Sequence, residues 1–244
     1  MTEFTGKNNP SPQPYARLGG FLYVLIIILG ISSEFLFRGK LIVPGNETAT
    51  ALNIQASPLL WRLGIAAEYL SIICTIVLAM IYFFLLKPVS KNLNLLSAFF
   101  RIISITVQII AVLNLLNLLP YLDHSAALSA FTDQQRYIIA ANLIKSHSYG
   151  YSVSLFFLGC CFLIHGYLIC RSQFLPKLLG LLIQLAGLCY ISNGFILIIA
   201  PAAAKLSFQL FFIPIFVAET SLGLWLLIKG VNVEKWKAKY AEMM

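Results

Sequence analysis

Six long apolar runs, at residues 17–37, 58–86, 93–119, 148–170, 176–199 and 208–229, decide what this chain can become. A bilayer core about 30 Å thick is crossed by about 20 mostly apolar residues in a helix, and every run reaches that length. The remaining residues make two tails and five loops, too little for a separate water-soluble catalytic domain. Composition agrees: 59% of residues are hydrophobic and 11% charged, with a mean hydropathy of +0.86, whereas soluble domains carry about 25% charged residues. The predicted fold is an all-α membrane protein, a six-helix transmembrane bundle, whose function must lie within the bundle, the loops or the tails.

The net charge of +8 would suggest nucleic acid in a soluble chain. Here the basic residues flank the apolar runs and report topology instead. Lys7, Arg17, Lys87, Lys91, Arg101, Arg171, Lys177, Lys229, Lys235, Lys237 and Lys239 fall on the side of the N-terminus. Arg38, Lys40, Arg62, Arg136, Lys145 and Lys205 fall on the other. The positive-inside rule then sets both termini in the cytoplasm of a multi-pass protein of the plasma membrane. Its partner is the lipid bilayer, with no nucleic acid, and self-association into a homo-oligomer stays open. No small-residue cleavage site follows the first run, so it is read as a retained anchor. Cys74, Cys160, Cys161, Cys170 and Cys189 all lie inside runs and read as small packing residues without disulfides.

Residues 1–14, with Pro10, Pro12 and Pro14, are expected to be a disordered cytoplasmic tail. Residues 15–232 form the membrane domain, and 233–244, with Trp236 among lysines, a basic interfacial tail. Val43 to Asn46 is a turn signal. Ser57 before Pro58 is a helix start. Thr132, with Gln135 three residues on, is a capping box that opens a short amphipathic helix, either lying on the outer surface or extending the fourth run. Residues 200–207 read as a short outer turn. A faint echo relates Arg17-Leu18-x-Gly20 to Lys177-Leu178-x-Gly180, and Ala67-Glu68 to Ala218-Glu219; both a parallel repeat and chance fit it.

Charges inside a membrane segment cost about 2.5–3.5 kcal/mol each on insertion scales and are therefore paired, wet or functional. Glu219 is the deepest, ten residues or about 15 Å before Lys229. Pro214 lies five residues earlier and is expected to kink the helix near the midplane. A broken helix beside a buried carboxylate suits a cation, a proton or an amine. Glu68 shares a helix face with Ser71 and Thr75, while Ser97, Arg101, Ser104 and Gln108 form one stripe on the third run. Arg101 is the expected counter-ion of Glu68 or Glu219, and Glu34 with Arg62 the expected second pair. Ser152, Gly159 and Gly166 face Gly180, Gly187 and Gly194 at heptad spacing, a seam for close packing with Gln184 bonding across it. The candidate buried polar or binding residues are therefore Glu34, Arg62, Glu68, Arg101, Gln108, Gln184 and Glu219.

Other chemistries find little footing. His165 and His147 lie about 27 Å apart along one helix, so a bis-histidine haem is not assembled. A metal held by Asp123, His124 and His147 on the outer face is a remote option, and no cofactor or metal is assigned. No GxSxG or HExxH pattern is present for a hydrolase, and no catalytic residue is named.

The stretches YARLGGFLYVLIIILGISSEFLFRGKLIVPGNETATALNI, LWRLGIAAE, GYLICRSQFLPKLLGLLIQLAGLCYISN and AETSLGLWLLIKGV resemble the bacterial membrane proteins grouped as domain of unknown function 4386. The resemblance runs over about residues 15–232. It implies a bacterial multi-pass setting and brings no activity, substrate or site residue. Three readings of function follow: a small-molecule or ion binding or transport protein with Glu68, Arg101 and Glu219 at a midplane pocket; a non-catalytic sensing or assembly module; and, weakest, an embedded enzyme.

Overall fold

The computed structural model describes residues 11–123 and 130–243, without the side chain of Lys205. Among them every regular element is helical. Helix α1 (Pro12–Ile31) runs on through a π-helical turn (Ser32–Phe37) and a 3-10 turn (Arg38–Lys40). It is followed by α2 (Glu47–Ala56), α3 (Pro58–Leu86), α4 (Lys91–Asn117), the single turn α5 (Leu119–Leu122) and α6 (Asp133–Ser172). Helices α7 (Lys177–Ile199), α8 (Pro201–Ile228) and α9 (Val233–Met243) complete the chain. Six of these helices are long and apolar enough to cross a membrane. Large apolar side chains such as Phe21, Ile73, Met80, Phe99, Ile198 and Ile213 cover the outside of the bundle, the arrangement that lipid, not water, stabilises.

Several boundaries differ from the sequence expectation, each for a local reason. Residues 12–14, read as tail, are the first turn of α1, capped by Ser11, whose hydroxyl accepts from the Gln13 amide at 3.5 Å. The first amides of a helix have no intrahelical partner, so Pro12 and Pro14 forfeit nothing there. The short helix after Thr132 is continuous with the fourth span as the 40-residue α6, and the capping box is present. Residues 200–207, read as a turn, are helical except Ala200 because Pro201 starts α8. Helix α8 also runs through Pro214 unbroken, so the midplane break is not seen; neighbouring helices make such prolines tolerable. In the turn at Val43–Asn46, Gly45 takes φ 75° and the Asn46 amide donates to the Val43 carbonyl at 3.1 Å.

The spanning helices close a ring. Helix α1 packs on α3 and α8, α3 on α4, α4 on α6, α6 on α7, and α7 on α8. Helices α3 and α6 also touch across it, so α1, α3, α6, α7 and α8 enclose one interior while α4 braces the α3–α6 wall. The α6–α7 interface is the most extensive and is the predicted glycine seam. A Cβ on Gly159 would stand 2.8 Å from the Gly187 carbonyl oxygen, and one on Gly187 equally close to that of Gly159. On the opposite side, a Cβ on Gly20 would strike the α8 backbone at Gly223 and Leu227.

Helix C-termini leave four carbonyls without intrahelical partners, and a bilayer has no water to satisfy them. Side chains from elsewhere do it here. The Trp61 indole donates to the Leu115 carbonyl at 3.1 Å near the end of α4. The Trp236 indole donates to the Leu85 carbonyl at 2.9 Å near the end of α3. Gln13 donates to the Lys229 carbonyl at 2.9 Å and accepts from the Val231 amide at 3.0 Å, which ties the two chain ends together on one face. Trp236, expected at the lipid interface, is 1% exposed and instead clamps α9 beneath α3.

Candidate functional site

The polar residues of the interior sort into two layers. The first lies away from the chain ends and is centred on Glu68, which is 5% exposed. Arg38 forms an ion pair with it, His147 Nε2 stands 3.2 Å from its Oε2, and the Ser33 hydroxyl donates to its Oε1 at 3.4 Å. Arg38 also reaches Glu34 at 2.8 Å. The π-helical turn makes this possible. The extra residue in that turn rotates Arg38 off the lipid face of α1 and toward α3, where Gly64 leaves room: a Cβ there would lie 3.2 Å from Phe37 and 3.6 Å from Arg38. Single π-turns of this kind are frequent at functional sites.

This corrects the expected pairing. The counter-ion of Glu68 is Arg38, not Arg101, and Glu34 pairs with Arg38, not with Arg62. Arg62 is exposed and, among the described residues, forms no ion pair. The suggested outer metal trio is not supported either, since His147 is committed to Glu68; His124 lies outside the described residues.

The second layer is deeper, and each enclosing helix contributes to it. Glu219 of α8 shares a face with Ile215, Ala218, Leu222 and Leu226, all buried. Its Oε1 accepts from the Tyr190 hydroxyl of α7 at 2.7 Å. Tyr23 of α1 lies over Gly223, one turn beyond Glu219, with its Cβ 3.4 Å from where a Gly223 Cβ would be. Tyr82 of α3 meets Tyr23 edge-on at 6.3 Å between ring centroids and His165 of α6 at 5.1 Å. Cys161, one turn before His165, has its Sγ 3.7 Å from the imidazole.

Hydrogen bonding in this layer is incomplete. The Tyr82 and Thr220 hydroxyls are buried and have no partner among the described residues; the Tyr23 hydroxyl, also buried, has none within 3.5 Å among them but lies near enough to Glu219 to interact with its carboxylate. Buried polar groups without partners are uncommon, at a cost of about 1–3 kcal/mol each. Arg101, half-buried on α4, lies within range of the Glu219 charge, yet no carboxylate of the described residues comes within 4.0 Å of it. Tyr151 of α6 keeps 36% of its surface exposed. Tyr151 also stacks on His147 at 6.1 Å and so stands between the two layers.

The remaining candidates are less involved. Ser97 and Ser104 of the α4 stripe are buried, and Ser104 hydrogen-bonds Ser154 of α6 at 3.3 Å. Gln108 is half-buried without a side-chain hydrogen bond among the described residues. Gln184 lays its Cγ against Gly166 and packs in the seam instead of bonding across it. Missed from the sequence were Arg38, Ser33, His147, Tyr23, Tyr82, Tyr151 and Tyr190. Arg38 sits four residues after Glu34, a spacing that signals a helical ion pair. Tyrosines at depth in apolar spans, where their hydroxyls require partners, were the readable sign of the second layer.

Comparison with known proteins agrees on family and offers no activity. No solved structure matches the chain. An uncharacterized protein of Archaeoglobus fulgidus is 28% identical over 167 residues, which is 68% of this chain and 83% of that protein. The model of the family described as Domain of unknown function (DUF4386) matches residues 18–230, from within α1 to just past the end of α8, and the chain therefore belongs to the DUF4386 family.

Proposed function

We propose that this protein binds a small cationic or zwitterionic molecule, or an ion, in the middle of the membrane, between Glu219 and Arg101. The observation that carries the reading is the incomplete polar layer: a carboxylate met only by tyrosine hydroxyls, a guanidinium without a carboxylate, and a buried Tyr82 hydroxyl without a partner, all among the described residues. A carboxylate beside three tyrosine rings suits a cationic group, through charge and the negative faces of the rings. Arg101 suits a carboxylate or another anionic group. The basic residues concentrated on the face of the chain ends support the orientation with both termini in the cytoplasm.

The Glu68 layer supports a different role for its own residues. Glu68 has three partners and Arg38 two carboxylates, so this layer acts as packing glue, as a non-catalytic sensing or assembly module would use it.

A thermal-shift screen of the purified protein in detergent tests the binding reading, with amino acids, betaine, choline and alkali-metal salts as probes, and wild type beside Glu219→Gln. A stabiliser of the wild type whose effect is lost in Glu219→Gln is the expected result. Stabilisers acting equally on both proteins, or none at all across the panel, would overturn the role given to Glu219.

A further inference from the structure

The face that carries both chain ends holds a second feature, separate from the interior layers. Where the α6–α7 turn, the α3–α4 turn and α9 converge, a concave pocket of about 430 Å³ is lined by Val89, Cys170, Arg171, Gln173, Lys177 and Lys239. Three of those six residues are cations. Lys239 is paired at 2.8 Å with the exposed Glu242 on its own helix, so the pocket retains a net positive charge.

Its wall is rigidly built. Gln173 ends α6 in the left-handed region at φ 61°. The Ser172 hydroxyl donates to the Ile169 carbonyl at 2.7 Å and accepts from the Leu175 amide at 3.3 Å. The Cys170 thiol donates to the Lys177 carbonyl at 3.4 Å, and the Asn232 amide donates to the Phe174 carbonyl at 3.0 Å. The Trp236 clamp fixes α9, and with it Lys239, against α3. The backbone that carries the cations is therefore fixed around a preformed concavity.

The pocket also opens the 23-residue helix α7 at its N-terminal residue Lys177, whose first-turn amides add partial positive charge. Below it, Leu178, Leu181, Leu185 and Leu188 of α7 are exposed by 66%, 57%, 46% and 53%. Their spacing of three, four and three residues makes one apolar ridge descending into the membrane from the cationic rim. A charged rim continuous with a lipid-facing ridge matches a molecule with a phosphate at one end and acyl chains at the other.

We propose that this pocket holds the phosphate of an anionic phospholipid headgroup, with the acyl chains lying along the leucine ridge of α7. Phosphate chemistry could also come from a small soluble compound, so the test separates the two sources. Purified protein is relipidated in detergent with phosphatidylglycerol, with phosphatidylcholine, or with inorganic phosphate or glycerol phosphate alone, and thermal unfolding is recorded. Phosphatidylglycerol should raise Tm by about 5 °C more than phosphatidylcholine at saturation. Arg171→Ala with Lys177→Ala and Lys239→Ala should remove that difference, while Arg62→Ala on the opposite face keeps it. Equal Tm in the two lipids, read on wild type alone and thus independent of how the variants fold, would overturn the proposal. A full phosphatidylglycerol response in the triple variant would overturn the assignment to this pocket. Stabilisation by the soluble phosphates with no advantage for phosphatidylglycerol would overturn the lipid source.

Discussion

Arg38 and Glu68 are the two residues on which the half of the interior away from the chain ends depends. Both side chains are under 10% exposed, and each is the other's principal neutralising charge. Removing one partner of a buried pair leaves a charge in a poor solvent, at a cost of about 3–5 kcal/mol. Arg38→Met should therefore lower stability by that order in a detergent denaturation series. Arg38→Met combined with Glu68→Gln should recover much of the loss, because the one carboxylate left without Arg38 is then Glu34, whose side chain is 62% exposed. Failure of the double variant to exceed the single one would mean that Glu68 is neutralised elsewhere, with His147 the nearest alternative at 3.2 Å. At this scale the sequence was only partly legible. That Glu34, Glu68, Arg101 and Glu219 are costly and must be accounted for follows from their positions in apolar runs. Which cation meets which carboxylate does not, since it hangs on a single extra residue in the π-helical turn at Ser32–Phe37, and hydropathy carries no trace of it.

At the scale of elements, glycines divide by what surrounds them. Gly187 sits where a Cβ would be 2.8 Å from the Gly159 carbonyl oxygen, a backbone atom that cannot swing away, whereas around Gly30 on α1 nothing lies within 4 Å. Gly187→Ala should push α6 and α7 apart and destabilise by about 1–3 kcal/mol. Gly30→Ala should be neutral or stabilise by up to about 1 kcal/mol through helix propensity. Thermal melts of the two variants side by side measure the contrast; equal losses in both would dissolve the seam argument. The heptad-spaced small residues made this interface readable in advance. The clamp by Trp236 was not, because a tryptophan among lysines reads equally as a lipid-interface anchor. Trp236→Ala removes a fully buried side chain and the hydrogen bond to Leu85, so it should cost about 3–5 kcal/mol and expose the α9 peptide bonds to limited proteolysis. Unchanged cleavage of α9 would show that the clamp is dispensable.

For the whole molecule, the six apolar runs were enough to foresee an all-helical bundle. They could not foresee a ring in which α3 and α6 meet across the middle and leave one interior walled by α1, α3, α6, α7 and α8. That arrangement, which requires helix pairing that no single run encodes, brings Tyr23, Tyr82, Tyr190 and Glu219 together from four helices. It also holds Arg101, on the bracing helix α4, short of a carboxylate. On the proposed reading, Glu219 and Arg101 stay apart because a third species belongs between them. An experimental structure of the protein in a lipid nanodisc, at a resolution that shows ordered small molecules and side-chain rotamers, tests it most directly. The expected result is density between Glu219, Arg101 and the Tyr23 and Tyr82 hydroxyls that no protein atom explains. A direct Glu219–Arg101 ion pair, with the tyrosine hydroxyls bonded to the protein and no added density, would contradict it.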